Sequence, residues 1–150
     1  MSPIEVGEIA PPVPGVSFED GPLALLFYKV TCPVCQMAAP KVERFERAYP
    51  GRLVAIGQDP AEELEAFGHR FEMDVPPTPD LPPYAVSNAY RIEAVPTLVL
   101  VGQDGAVLES IGAWDREGYN RVSERLAGLI GAKPVAISTP DDGLPAFKPG

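Results

Sequence analysis

Chemically reactive and positively charged side chains are scarce in this chain. Its 150 residues include two cysteines, one histidine and one tryptophan. Lys and Arg number 12 against 21 Asp and Glu, which gives a formal net charge of -9. So acidic a chain, with no cluster of Lys or Arg, cannot offset phosphate repulsion. We therefore expect neither nucleic acid nor a membrane surface among its partners.

Long apolar runs are also missing. No stretch is long enough to cross a bilayer, and residues 1–14 lack a basic region followed by an apolar one. We therefore predict a cytoplasmic protein. A chain of this length favours one domain, which we place at residues 1–132, followed by a loosely structured C-terminal tail at 133–150.

The two cysteines stand close together, in Cys32-Pro33-Val34-Cys35. The motif follows a near-continuous apolar run, residues 23–30, and precedes a helical pattern, so Cys32 should lie at a helix N-terminus. There the unpaired backbone N–H groups and the helix dipole favour a thiolate, and we expect the pKa of Cys32 to fall below that of a free thiol. Cys35 belongs to the apolar stripe of the helix and should be buried and protonated. This arrangement indicates a redox-active dithiol.

Apolar periodicity predicts the surrounding elements. A strand at residues 23–30 precedes the cysteines, and a helix with Pro40 inside it follows them. A second strand lies within residues 52–58, Asp59 should cap the next helix, and a short helix is expected at 85–90. Asp104-Gly105 predicts an antiparallel hairpin of residues 97–101 and 106–111. The helix after Asp59 should bury Leu64, Phe67 and Phe71. The helix that begins at Asp115 should bury Tyr119, Val122, Leu126 and Leu129.

Two other interpretations compete for the cysteine motif. The first is a pair of ordinary buried cysteines, which would not require the position between a buried strand and a helix start. The second is a structural zinc site, which needs four ligands, whereas this chain offers two cysteines and His69. His69 lies on a polar helix face and reads as a surface residue. We therefore predict no metal and no cofactor.

This order of elements, with Val95-Pro96-Thr97 leading into the hairpin, resembles the thioredoxin-like fold. Gly7-Glu8-Ile9-Ala10-Pro11 and the long segment 59–90 are similar to its redoxin branch, which includes thiol peroxidases and the reductants of cytochrome maturation. The resemblance covers roughly residues 6–131. It implies an α/β fold with a central mixed β-sheet flanked by helices and an insertion before the strand that follows a cis-proline.

The resemblance also implies roles for individual residues. Cys32 would be the attacking cysteine and Cys35 the resolving one. The Val95-Pro96 peptide would be cis, lie beside the sulfurs and present its backbone to an extended substrate. The implied substrate-binding residues are Pro33, Val34, Val95, Pro96 and Thr97.

The implied function is that of a thiol-disulfide oxidoreductase. Its substrate would be a disulfide-containing protein or small molecule, a thiol reductant or reductase would complete the cycle, and we expect a monomer. The chain departs from the family pattern at three positions: Thr31 replaces a tryptophan common in thioredoxins, Leu26 their buried aspartate, and Ala38 a glutamate frequent in cytochrome-maturation reductants. The usual acid/base helper of the resolving cysteine is therefore absent.

Two alternative functions share this fold. A thiol peroxidase would attack a peroxide and pass through a sulfenic acid. Such enzymes usually carry a threonine three residues before the reactive cysteine and an arginine near the place of Pro96, whereas here Thr31 directly precedes Cys32. A non-catalytic binding module would fit the changes at Leu26 and Thr31, but not the intact cysteine pair and Pro96.

Overall fold

The computed structural model describes residues 2–150. The strands are β1 (Leu23–Tyr28), β2 (Leu53–Gly57), β3 (Pro77–Pro79), β4 (Thr97–Val101), β5 (Val107–Gly112), β6 (Trp114–Asp115) and β7 (Phe147–Lys148). The helices are α1 (Pro33–Ala48), α2 (Ala61–Phe71), α3 (Ala85–Ala89) and α4 (Arg116–Ile130).

Five strands form a central mixed sheet in the order β3-β2-β1-β4-β5. β1 pairs in parallel with β2 and antiparallel with β4, so it lies in the middle of the sheet. All six residues of β1 are buried, as its apolar run predicted. The predicted α/β fold with a central mixed sheet is confirmed.

Alternate side chains of β1 pack into two separate hydrophobic cores, one on each face of the sheet. Leu26 and Tyr28 pack with Cys35 of α1 and with apolar residues of α2 and α4. Leu25 and Phe27 pack on the opposite face, against the N-terminal segment and Tyr90, which directly follows α3. Because side chains alternate along a strand, the side chain at position 26 lies on the same face of the sheet as the cysteine motif.

Two local predictions are wrong. Asp59 does not cap α2, whose N-cap is Pro60; the Asp59 carboxylate instead accepts a hydrogen bond from the backbone N–H of Val30 at 2.9 Å. Leu129 does not join the buried face of α4 but is 53% exposed. In the last turn of that helix Ala127 is still buried, whereas the residues from Gly128 to Ile130 are exposed.

The hairpin prediction is confirmed. β4 and β5 pair antiparallel around Asp104-Gly105, with an irregularity in register between Leu100 and Val101. The insertion before β4 also contains a strand that the proline-rich sequence did not reveal, since β3 pairs in parallel with β2 at the sheet edge. An edge position is one of the few places where a strand tolerates proline.

The segment 133–150 is irregular in backbone except at β7, and it is fastened to the domain. Asp142 is one of its anchors: the carboxylate contacts Lys41 of α1 at 3.0 Å and Arg116 of α4 at 3.5 Å. It also accepts hydrogen bonds from the Ser138 hydroxyl and the Leu144 N–H, and these contacts hold the pKa of Asp142 well below its ordinary value. Farther along, β7 pairs antiparallel with β6.

Among residues 2–150, none of the helices combines the length and the apolar character that a membrane crossing requires.

Candidate active site

The cysteine motif lies where the chain leaves the central strand and enters α1. Cys32 is the N-cap residue, in extended conformation, and Pro33 occupies the first helical position. Proline suits that position because its φ is helical and its missing N–H would have no helical partner. The Cys32 Sγ accepts a hydrogen bond from the Cys35 backbone N–H at 3.2 Å. A cysteine sulfur thus takes the place of the usual capping oxygen, in a position that favours negative charge on it.

Three hydrogen bonds hold the loop before Cys32 in place. The Cys32 N–H donates to the Lys29 carbonyl at 3.2 Å, which closes a turn. The Val30 N–H donates to Asp59, and the Val30 carbonyl accepts from the Gln36 side-chain amide at 2.9 Å. These contacts fix the approach of the backbone to Cys32, and therefore the direction of its side chain.

Cys35 differs sharply from Cys32 in its surroundings. It is buried, at 3% exposure, whereas Cys32 is partly exposed. Burial raises the pKa of the Cys35 thiol, and its interaction with Cys32 raises it further. The site therefore combines an accessible sulfur at a helix N-terminus with a protonated thiol behind it.

Two tyrosine hydroxyls in the same core lack hydrogen-bond partners within residues 2–150. Tyr28 ends β1 and Tyr119 lies on α4, and both share an apolar cluster with Cys35. Burial raises the pKa of each phenol, and the negative charge of the Asp59 carboxylate adds to this effect for Tyr28. Both hydroxyls are therefore neutral groups within electrostatic reach of the buried thiol.

The Val95-Pro96 peptide lies beside the first cysteine and is cis. The Cys32 thiol donates to the Val95 carbonyl oxygen at 3.5 Å. Pro96 and Thr97 are buried, and the Thr97 hydroxyl donates to the Ala94 carbonyl at 2.8 Å, which closes the turn before β4. The structure thus brings a loop that is distant in sequence into contact with Cys32.

The remaining predicted substrate-binding residues differ in exposure. Pro33 is exposed beside Cys32, whereas Val34 is buried in the core with 7% exposure. The surface around the accessible sulfur therefore contains Pro33 and part of Val95, while Val34, Pro96 and Thr97 support it from beneath.

Three residues outside the predicted set of site residues shape this site. Asp59 and Gln36 hold the loop before Cys32, and Tyr28 lies in the core behind it. The sequence predicts Asp59 as a helix cap because aspartate before proline is typical of that position. Strand alternation places Tyr28 on the same face as Leu26, from which it is two residues away.

No group of three or more His, Cys, Asp or Glu side chains is arranged to hold a metal ion in the described part of the chain. His69 is exposed, as predicted.

The fold and the cysteine site agree with the comparison to protein-family models. The model described as Thioredoxin-like matches residues 20–107, which is more than half of the chain and includes both cysteines and the Val95-Pro96 peptide. The chain belongs to the thioredoxin-like family. A comparison with curated protein sequences found no match.

Solved structures share the fold at low sequence identity. The thioredoxin domain of a thiol-disulfide oxidoreductase from Bacteroides vulgatus superposes with a TM-score of 0.69 at 16% identity, covering 82% of this chain and 99% of that one. A thiol:disulfide interchange protein of the thioredoxin family from Chlorobium tepidum has a TM-score of 0.65 at 16% identity, with coverage of 82% and 98%. A secreted Mycobacterium tuberculosis disulfide oxidoreductase homologous to Escherichia coli DsbE has a TM-score of 0.59 at 19% identity, with coverage of 73% and 82%.

Proposed function

We propose that this protein is a thiol-disulfide oxidoreductase that uses Cys32 and Cys35 as its redox pair. The observation that carries the proposal is the contrast between the two sulfurs. Cys32 is accessible, receives the Cys35 N–H and lies next to the Val95 carbonyl, whereas Cys35 is buried behind it. Family membership supports the same chemistry.

The proposed reaction has two exchange steps. The Cys32 thiolate attacks one sulfur of a substrate disulfide, so that a mixed disulfide forms and the other substrate sulfur leaves as a thiolate. Cys35 then attacks the Cys32 sulfur and gives its proton to water or to the departing substrate sulfur, so that the Cys32–substrate bond breaks, the second substrate thiol leaves and a Cys32–Cys35 disulfide remains. Two electrons pass from the protein to the substrate, and an external thiol reductant or reductase returns them.

The buried position of Cys35 fits the second step. A thiol kept protonated by burial does not compete with Cys32 for the substrate. Its backbone N–H contacts the Cys32 sulfur, so the resolving residue is already adjacent to the atom that it must attack. We propose that resolution is intramolecular and that a monomer suffices for turnover.

Substrate class and compartment are further parts of the proposal. The acidic surface favours substrates that are not strongly acidic, and both proteins and small molecules with disulfides are candidates.

The cytoplasm remains our predicted location. A thiol-trapping experiment on cells that express the native gene would test it: a reduced Cys32/Cys35 pair in the cytosolic fraction agrees with this location, and recovery of the protein outside the cytosol contradicts it.

Turnover assays test the function itself. With dithiothreitol as reductant, wild-type protein should accelerate insulin reduction, and Cys32→Ser should reduce the rate to that of dithiothreitol alone. Mild oxidation of the wild-type protein should form an intramolecular disulfide. Mass spectrometry should then show a monomer that has lost two hydrogens. Catalytic consumption of hydrogen peroxide, with a sulfenic acid at one cysteine, would instead favour the thiol peroxidase. Activity with neither substrate would favour a binding module.

A further inference from the structure

The last residues of the chain reach the candidate active site. We call residues 145–150 the C-terminal strap. Two of them form β7, which adds to β6 so that Lys148 pairs with Trp114 and Phe147 with Asp115. The pairing extends by one residue, because the Arg116 N–H donates to the Ala146 carbonyl at 2.9 Å. The Trp114 indole N–H also donates to the Pro145 carbonyl at 2.8 Å.

Beyond β7 the strap meets the loop that contacts Cys32. Gly150 lies so close to Val95 and Pro96 that a Cβ at this position would overlap the Val95 carbonyl oxygen and come within 3.3 Å of the Pro96 ring. That carbonyl oxygen is also the hydrogen-bond acceptor of the Cys32 thiol. The strap and the reactive sulfur therefore share one backbone group.

The strap has the form of an extended peptide added to a sheet edge. It pairs through main-chain hydrogen bonds, its side chains are exposed, and it passes over the Val95-Pro96 peptide. Strand addition of this kind is a general mode of peptide recognition, in which backbone hydrogen bonds supply the affinity. A peptide substrate that approached Cys32 along β6 would meet these same groups already paired.

We propose that the C-terminal strap occupies the edge on which an extended protein substrate would bind, so that a protein substrate must displace it whereas a small disulfide need not. The proposal rests on the proposed function and adds a substrate preference to it. Upstream of the strap, the contacts of Asp142 with Lys41 and Arg116 hold the chain in place. Release of residues 147–150 therefore does not require the whole C-terminal segment to detach.

Lys148 offers a matched pair of variants. Hydrogen-bonded and non-hydrogen-bonded pairs alternate along an antiparallel ladder. Because Arg116 donates to Ala146, the pair Trp114–Lys148 is the next hydrogen-bonded one, and Lys148→Pro removes its N–H. Lys148→Ala keeps that N–H and serves as the control. The residue is exposed, so neither variant disturbs the core. A second variant, Gly150→Leu, places a side chain where the Val95 carbonyl leaves no space.

The experiment compares insulin with 2-hydroxyethyl disulfide as substrates. Lys148→Pro should reduce insulin about fivefold faster than wild type, the factor that corresponds to loss of one net hydrogen bond. Gly150→Leu should also be faster than wild type, because its side chain has no room beside the Val95 carbonyl. Reduction of 2-hydroxyethyl disulfide should be unchanged, and Lys148→Ala should match wild type with both substrates. Equal insulin rates in all four proteins, or equal acceleration with both substrates, would overturn the proposal.

Labelling of Cys32 by a polyethylene-glycol maleimide separates this proposal from the proposed function. Lys148→Pro should be labelled faster than Lys148→Ala, whether or not either protein reduces disulfides. If no protein reduces a disulfide and the labelling rates differ, the strap covers Cys32 but the oxidoreductase assignment is wrong. If the labelling rates are equal, the strap does not cover the site.

Discussion

At the scale of single residues, buried tyrosines of one core differ in whether their hydroxyls are satisfied. The Tyr49 hydroxyl accepts from the Val135 N–H at 3.0 Å and pairs with the Ser123 hydroxyl at 2.6 Å. The Tyr119 hydroxyl has no partner within residues 2–150, although its ring packs against Trp114 with centroids 4.7 Å apart. Both side chains are about equally buried, at 1% exposure.

Phenylalanine substitutions at these two positions should therefore have opposite effects. Tyr49→Phe leaves the partly buried Val135 N–H without its acceptor and removes one hydrogen bond of the buried Ser123 hydroxyl, so it should lower the free energy of unfolding by about 1–3 kcal/mol. Tyr119→Phe removes a hydroxyl that is desolvated without compensation, and should leave the free energy of unfolding unchanged or raise it by up to about 1 kcal/mol. Urea denaturation measures both values. A loss at Tyr119 equal to that at Tyr49 would indicate a partner for its hydroxyl.

The candidate site was predictable from sequence only where its chemistry is local. Cys32 and Cys35 can be recognised as a redox motif from their spacing and from their place between a predicted strand and a predicted helix. Asp59 does not, because a carboxylate before proline has an equally good local use as a cap. Its actual partner, the Val30 N–H, lies 29 residues earlier in the chain and becomes available only through the parallel pairing of β1 with β2.

At the scale of elements, α2 and α4 contain glycines in different environments. Gly68 lies in the last turn of α2, where its carbonyl accepts from the N–H groups of Glu72 and Met73. A Cβ at Gly68 would come within 2.6 Å of the Met73 carbonyl oxygen. Gly128 lies on the exposed face of α4, and apart from its own helix backbone no atom of residues 2–150 lies within 4 Å of a Cβ placed there. The first glycine allows a tight helix end, whereas the second has no such role.

Alanine substitutions should separate these two cases. Gly128→Ala should raise the free energy of unfolding by about 0.5–1 kcal/mol, because alanine has the higher helix propensity and nothing obstructs its methyl group. Gly68→Ala should lower it by about 1–3 kcal/mol, since a backbone carbonyl must move to admit the methyl group. Thermal and urea unfolding of both variants checks this. Stabilisation by Gly68→Ala would show that the turn after α2 rearranges freely.

Element prediction succeeded where the hydrophobic pattern and the turn residues agreed. The apolar run of β1 and the Asp104-Gly105 hairpin have patterns that only one arrangement satisfies. The pattern of α4 predicted a buried Leu129 because periodicity extends to the end of a helix whether or not another element covers it. β3 was missed because its three residues are Pro77, Thr78 and Pro79, and only pairing with a neighbour makes them a strand.

At the scale of the whole molecule, charged contacts connect elements around the sheet. Glu109 on β5 accepts from Arg121 and Arg125 of α4, each at 2.8 Å. Burial alone would raise the pKa of Glu109, but the two guanidinium groups outweigh it and hold the pKa below its ordinary value. The Asp142 contacts join the C-terminal segment to α1 and α4 in the same way. Ion pairs therefore connect α1, α4, β5 and the part of the C-terminal segment that precedes the strap.

Cys32 and Cys35 lie only three positions apart but differ in exposure, and we expect different roles for them. The accessible Cys32 should form the bond to substrate, and the buried Cys35 should break it. Each cysteine can be replaced by serine with little change in volume, and the double variant Cys32→Ser/Cys35→Ser provides a control without thiols.

The most direct test of this claim is trapping of a mixed disulfide with insulin whose disulfides are intact. Non-reducing electrophoresis and mass spectrometry detect the mixed disulfide. Cys35→Ser should accumulate a mixed disulfide through Cys32 that dithiothreitol releases, because attack proceeds while resolution is blocked. Cys32→Ser should trap no more than the double variant, because the remaining thiol is buried and protonated. Equal trapping by both single variants, or trapping by Cys32→Ser alone, would contradict the assigned roles of the two cysteines.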